Sequence, residues 1–224
     1  YETMAINHFH RTEEPEGNLN IGIMETLCSS EYTDLFYTFQ EKYPKISLRL
    51  EVVTTLKAME DLDKGIFDVI FLLDKTIIRP NWKTARTFPS DISFFCARSH
   101  PLAGQKNVSL ERLLQERFIL TEKGCNYRQV FENDLATAGL HLECAMEIGH
   151  TSYIINAVSR LLGIGLLPVF TLKDALSRGE ISLIDVDSYQ IQLAIQVIYN
   201  TQRRISQRTW PFLFSGIRSY LFFS

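Results

Sequence analysis

The sequence predicts an α/β protein with largely parallel sheets. Strand-like apolar runs alternate with amphipathic helical stretches along most of the chain. Several runs are apolar throughout, as in FDVIFLL (67–73) and IGLLP (164–168), which suits buried strands. A late strand and helix follow a complete second series of elements, so the chain is expected to cross back to its first half.

Residues 1–17 are charged, end in EEPEG, and read as the tail of a helix plus a linker. LNIGIM (19–24) is a buried strand. SEYTDLFYTFQEKYP (30–44) places Leu35, Phe36, Phe39 and Tyr43 on one helical face, and Pro44 stops it. ISLRLEVV (46–53) alternates as a strand, and TLKAMEDLDKG (55–65) is a short helix closed by Gly65. FDVIFLL (67–73), ISFFCA (92–97), RFIL (117–120) and LECAMEI (142–148) are further strands. NYRQVFENDLATAG (126–139) is a helix with Tyr127, Val130, Phe131, Leu135 and Ala138 on one side. TSYIINAVSRLLG (151–163) is another, with Ile154, Ile155, Val158, Leu161 and Leu162 inward and Gly163 as its expected C-cap. IGLLP (164–168) and LAIQVIY (193–199) are strands, and RTWPFLFSGIRSYLFF (208–223) is mostly a closing helix.

The 224 residues suit one large domain or two small ones, and 46% hydrophobic content allows a sizeable core. A net charge of −3 leaves no basic footprint for nucleic acid. The longest apolar runs are too short to span a bilayer, and YETMAINHFHRTEEPEG has no signal-segment pattern. Cys28, Cys96, Cys125 and Cys144 lie far apart without a CxxC pair, which argues against a disulfide framework or a zinc knuckle and for a reducing cytoplasm. Metal-ligand clusters, paired acid–base carboxylates and an activated nucleophile are all missing from the pattern, so neither an enzyme nor a cofactor is expected.

Six stretches carry a resemblance: GNLNIGI (17–23), FQEKYPKISLRLE (39–51), LDKGIFDVIF (62–71), SHPLA (99–103), VSLERL (108–113) and AVSRLLGIGLLP (157–168). In this order and spacing the sequence resembles the effector-binding region of LysR-type transcriptional regulators, over roughly residues 17–224. The resemblance implies two Rossmann-like subdomains of the type 2 periplasmic-binding-protein kind, joined by two crossover strands. The implied limits are 18–89 plus 192–224 for one subdomain and 90–191 for the other, with 1–17 as the end of a linker helix. It also implies a small effector in the cleft, which hydroxyls, an amide and one Arg among the candidate residues suggest is an anion, a homodimer or tetramer built on helices 30–43 and 151–162, and DNA binding only through an N-terminal winged helix-turn-helix absent from this chain. The alternative is a solute-binding protein of a transporter, which shares the fold.

The stretch TEKGCNYRQVF (121–131) becomes, on that resemblance, a loop entering a helix at the cleft edge. Free N–H groups at a helix start attract anions, Asn126 and Tyr127 sit there, and Arg128 offers a fork of donors for an acid group. The competing reading of Arg128 is an ion pair with Glu132, four residues on. Cys125 near a helix start could carry a lowered pKa. However, the reactive cysteine of the family's peroxide sensors aligns with Asn126 and its partner with Leu135, and neither is cysteine. Thr26 maps to the hydroxyl with which the family contacts an effector's acid group, while Ser29 or Ser30 suits a helix cap. Of Thr54 and Thr55, one is expected to cap the next helix and the other to face the cleft, Thr55 aligning better with the family's contacting position. In HTS (150–152), adjacency of His150 and Ser152 supplies no hydrolytic geometry, so Thr151 and Ser152 are expected to cap a helix and meet a ligand. Tyr127 and Tyr153 could add a stacking face. His8 and His10 fall in the linker, and GIG (163–165) lacks the context of a dinucleotide motif.

Overall fold

In the computed structural model, residues 15–28 and 30–202 are described. Most of the linker, His8, His10, Ser29, the side chain of Ser30 and the expected helix 208–223 lie outside the described residues.

The first half of the sheet follows from the apolar runs. β1 (Gly17–Ile23) lies between β2 (Ile46–Val52) and β3 (Val69–Asp74), all parallel, connected through α1 (Ser30–Lys42) and α2 (Thr55–Lys64). A short 3-10 turn, Glu25–Cys28, leaves β1 before α1. Thr54 accepts the Lys57 N–H at 3.3 Å and so caps α2, and Gly65 ends that helix in the left-handed conformation at φ 71°.

β4 (Trp82–Ala97) is ten residues longer at its start than the expected strand 92–97, and pairs antiparallel with β9 (Ile191–Asn200) along most of its length. These are the two crossover strands. β9 also pairs antiparallel with β3, and β4 with β7 (Ile164–Pro168) and β8 (Ile181–Ile184). β5 (Phe118–Leu120) joins β7 and β6 (Cys144–Glu147) in parallel. The order is β2-β1-β3-β9-β4-β7-β5-β6, with β8 off this path on β4. Parallel pairing therefore holds among β2, β1 and β3 and among β6, β5 and β7, and the crossover strands join the two sets through antiparallel pairs.

The second half carries α3 (Leu110–Leu113), α4 (Asn126–Thr137), α5 (Thr151–Ser159) and α6 (Val169–Ser177). α5 stops four residues short of the expected end. Leu161 takes a left-handed backbone at φ 64°, so Leu161 and Leu162 turn outward rather than inward. Gly163 is thus not the C-cap: its bare Cα lies against the Arg117 carbonyl, which accepts the Ile164 N–H at 2.8 Å. α4 likewise ends at Thr137, leaving Ala138 exposed. Its apolar side meets an aromatic cluster in which Phe94 packs edge-on against Phe131 at 4.9 Å between centroids.

Candidate functional site

A cavity of about 1040 Å³ opens between the carboxyl ends of the parallel strands of the two halves. One wall comes from the loops after β1 and β2, with Met24, Glu25, Thr26, Val53, Thr54 and Thr55. The other comes from the loops that open α4 and α5, with Thr121 to Asn126 and Gly149 to Ser152. Ligands of open α/β sheets settle at such a place, because strand ends diverge there and helix N-termini converge.

Among the described residues, contacts of Asn126, Thr26 and Glu25 join the walls. Asn126 Nδ2 donates to Thr55 Oγ1 at 3.0 Å and to the Leu73 carbonyl at 2.8 Å. Thr26 Oγ1 stands 3.5 Å from Tyr127 Oη, at the outer limit of a hydrogen bond. The third is charged: Thr151 donates to the Glu25 carboxylate through its Oγ1 at 2.6 Å and its N–H at 3.2 Å. His150 Nδ1 lies 3.0 Å from the same carboxylate.

The structure distributes the expected site residues unevenly. Thr26, Thr54, Thr55, Asn126, Thr151 and Ser152 all line the cavity. Thr54 is the helix cap and Thr55 the residue turned to the opposite wall, which separates the adjacent pair. Ser152 Oγ sits 3.3 Å from His150 Nδ1, in a pair that has no part in capping α5, because the Glu25 carboxylate takes that role.

Tyr127 and Arg128 are not among the lining residues. Tyr127 is fully buried behind the wall, and burial raises its phenol well above the ordinary value. Arg128 is 2% exposed and already satisfied. Its Nε donates to Glu132 Oε1 at 2.7 Å, and its Nη1 to Glu147 Oε2 at 2.8 Å and to the Thr121 carbonyl. The i to i+4 pair with Glu132 is present, and it is part of a buried anchor that ties α4 to β6. Such a guanidinium is tied away from the cavity, since its charge would lose two carboxylates by turning outward.

Cys125 occupies the cap position of α4 without a side-chain cap bond, and burial pushes its thiol up. A raised pKa keeps the sulfur as thiol, the form that reacts poorly with peroxide. Beside it, Thr121 Oγ1 is buried and makes no hydrogen bond.

Glu25 and Asp74 also line the cavity and were not singled out in the sequence, and Glu122 and Lys123 join them from the stretch 121–131. Glu25 was legible as the one charge in METLCSS, but its partner lies 126 positions away. Burial raises the Asp74 carboxyl above its ordinary value. Met24, Val53, Leu56, Met59 and Ile155 give the cavity an apolar floor. Among the described residues no cluster of three or more His, Cys, Asp or Glu could hold a metal ion, and no helix is long and apolar enough to cross a membrane.

Comparison with known proteins fits this geometry. An uncharacterized HTH-type transcriptional regulator of Bacillus subtilis, YwqM, is 30% identical over 186 residues, which are 83% of this chain and 62% of the relative. The HTH-type transcriptional activator CmpR of a Synechocystis species is 28% identical over 200 residues, 88% of this chain and 64% of the relative. The chain thus spans a little under two thirds of these relatives, which are named as transcriptional regulators and not as enzymes or transport proteins. Among solved structures, the regulatory domain of Synechocystis CcmR in complex with 2-PG superposes with a TM-score of 0.80 at 23% identity, covering 93% of this chain and 99% of that one. The effector-binding domain of QuiR in complex with shikimate gives 0.75 at 16% identity, covering 92% and 98%. Both share the fold. The family model described as the LysR substrate binding domain matches residues 12–213, and the chain belongs to the LysR family as its effector-binding domain.

Proposed function

We propose that this domain senses a small anionic effector in the cleft, within a cytoplasmic transcriptional regulator that binds DNA through a separate domain. The supporting observation is the meeting of two helix starts, α4 and α5, on a single cavity with an apolar floor. The start of α5 holds the Glu25 carboxylate, whereas α4 has no side-chain cap and has Lys123 beside it. An effector's acid group fits the α4 start, with Thr55, Asn126 and Ser152 as polar contacts and its body on Val53, Leu56 and Ile155. Shikimate, the ligand of QuiR, is a carboxylate of suitable size.

The subdomain limits 18–89 plus 192–224 and 90–191 fit a hinge within β4 and β9, since both limits fall inside or beside those strands. Effector binding would then change the closure of the halves by binding one arrangement better than the other. Self-association is supported by exposed apolar side chains, Tyr37 on α1 and Tyr153, Leu161 and Leu162 on or just after α5.

A thermal-shift panel of shikimate, 2-phosphoglycolate, aromatic acids and inorganic oxyanions tests the effector reading. A ligand at about 100 times its Kd stabilises by about 2.7 kcal/mol, a rise of several degrees for a domain of this size. The same ligand should lose most of its effect on Lys123→Ala and Ser152→Ala. A panel without any response, or a response that both variants keep in full, would refute the acid-at-α4 arrangement. For the assembly, Tyr37→Asp should lower the sedimentation coefficient relative to the parent.

A further inference from the structure

Glu25 is an acid in a cavity proposed to receive an acid. Its carboxylate takes the position that an anion takes at a helix start, accepting from the Thr151 N–H at 3.2 and 3.3 Å and from the Thr151 hydroxyl at 2.6 Å. Thr151 is buried, Glu25 is mostly so, and the two belong to opposite walls of the cleft. The other carboxylates on the lining, Asp74 and Glu122, add negative charge, with Lys123 and the His150 imidazole as the basic groups among the lining residues.

We propose that Glu25 is a tethered carboxylate filling the acid-binding position at α5, which makes it both a latch between the walls and the residue that sets the charge selectivity of the cleft. An effector whose acid group sits at α4 binds with the latch closed, presenting hydroxyl or amine donors to Glu25. An effector whose acid group belongs at α5 must expel Glu25 and so binds only with the latch open. This rests on the cleft being the effector site, but the contact can be tested without any effector.

The test uses sodium acetate, the smallest stand-in for the Glu25 side chain, against sodium chloride at equal ionic strength. In Glu25→Ala the melting midpoint should fall, and acetate should raise it again while chloride does not. The parent should not respond. By NMR, the Thr151 amide signal of the variant should move on acetate titration and saturate, and that of the parent should stay. If Glu25→Ala does not fold, Glu25→Ser also vacates the position, and the acetate-dependent movement of Thr151 should appear there and not in the parent. Acetate acting on neither variant, or on parent and variant alike, overturns the proposal. A silent effector panel would refute the reading of the cleft and leave this result standing.

Discussion

The side-chain amide of Asn126 crosses the cleft to donate to Thr55 Oγ1 at 3.0 Å and the Leu73 carbonyl at 2.8 Å, from the first turn of α4 to the opposite wall. Asn126 is 9% exposed and Leu73 fully buried, so removing the amide takes a donor from a buried carbonyl. Asn126→Ala should cost about 1–3 kcal/mol through that buried acceptor, a drop of several degrees in melting midpoint. Calorimetry of parent and variant measures it. A midpoint equal to the parent's would mean that water replaces the amide without loss.

Arg128 should behave as an anchor and not as a ligand contact. Removing it leaves Glu132 and Glu147 without their shared cation and strips the Thr121 carbonyl of a donor. Both carboxylates are over a third exposed, which places the loss below the 3–5 kcal/mol of a fully buried pair, at about 2 kcal/mol. Arg128→Met should therefore lower the urea midpoint while leaving the Kd of any effector found in the panel within a few-fold of the parent. A loss of affinity without a loss of stability would restore Arg128 to the site.

The same pair gives a pH signature. The Arg128 guanidinium holds the Glu147 carboxyl below the usual glutamate range. A depressed folded-state pKa gives stability that is complete above the unfolded value of about 4.3 and is lost as pH falls through the folded value. Urea titrations at about pH 6 and at about pH 3.5 bracket that window. Glu147→Gln should show a smaller fall between them than the parent. An identical fall would mean that other carboxylates dominate the acid limb.

How much of this was legible in the sequence depends on distance along the chain. Helix starts and strand cores are local, so the α2 cap at one of Thr54 and Thr55, the strand 164–168 and the helix start at Asn126 were readable from a few residues. Ends were less so, because Leu161 adopts a left-handed backbone that its type does not announce. α6 and β8 were missed, their runs being short and flanked by charges. The site divides the same way. Thr55 was placed by the family resemblance and Ser152 by its position at a helix start, and both line the cavity, but the ion pair that holds Arg128 reaches Glu147, on a strand 19 residues away. Nothing local to METLCSS points to the start of α5, so Glu25 was passed over for Thr26.

Gly163 tests the backbone geometry at the amino end of β7. A Cβ there would overlap the Arg117 carbonyl oxygen and crowd Ile119 Cγ1 at 3.2 Å. The carbonyl cannot retreat cheaply, since it accepts the Ile164 N–H at 2.8 Å where β5 meets β7. Gly163→Ala should thus cost about 1–3 kcal/mol, as overpacking does. Gly149, on the cavity itself, is a control: a Cβ there meets nothing nearer than the movable Glu122 carboxylate at 3.3 Å. Gly149→Ala should stay within about 0.5 kcal/mol of the parent. Urea denaturation of both variants decides the matter, because equal midpoints would mean that the β5–β7 edge yields to a methyl group and that the glycine is not required for the close approach.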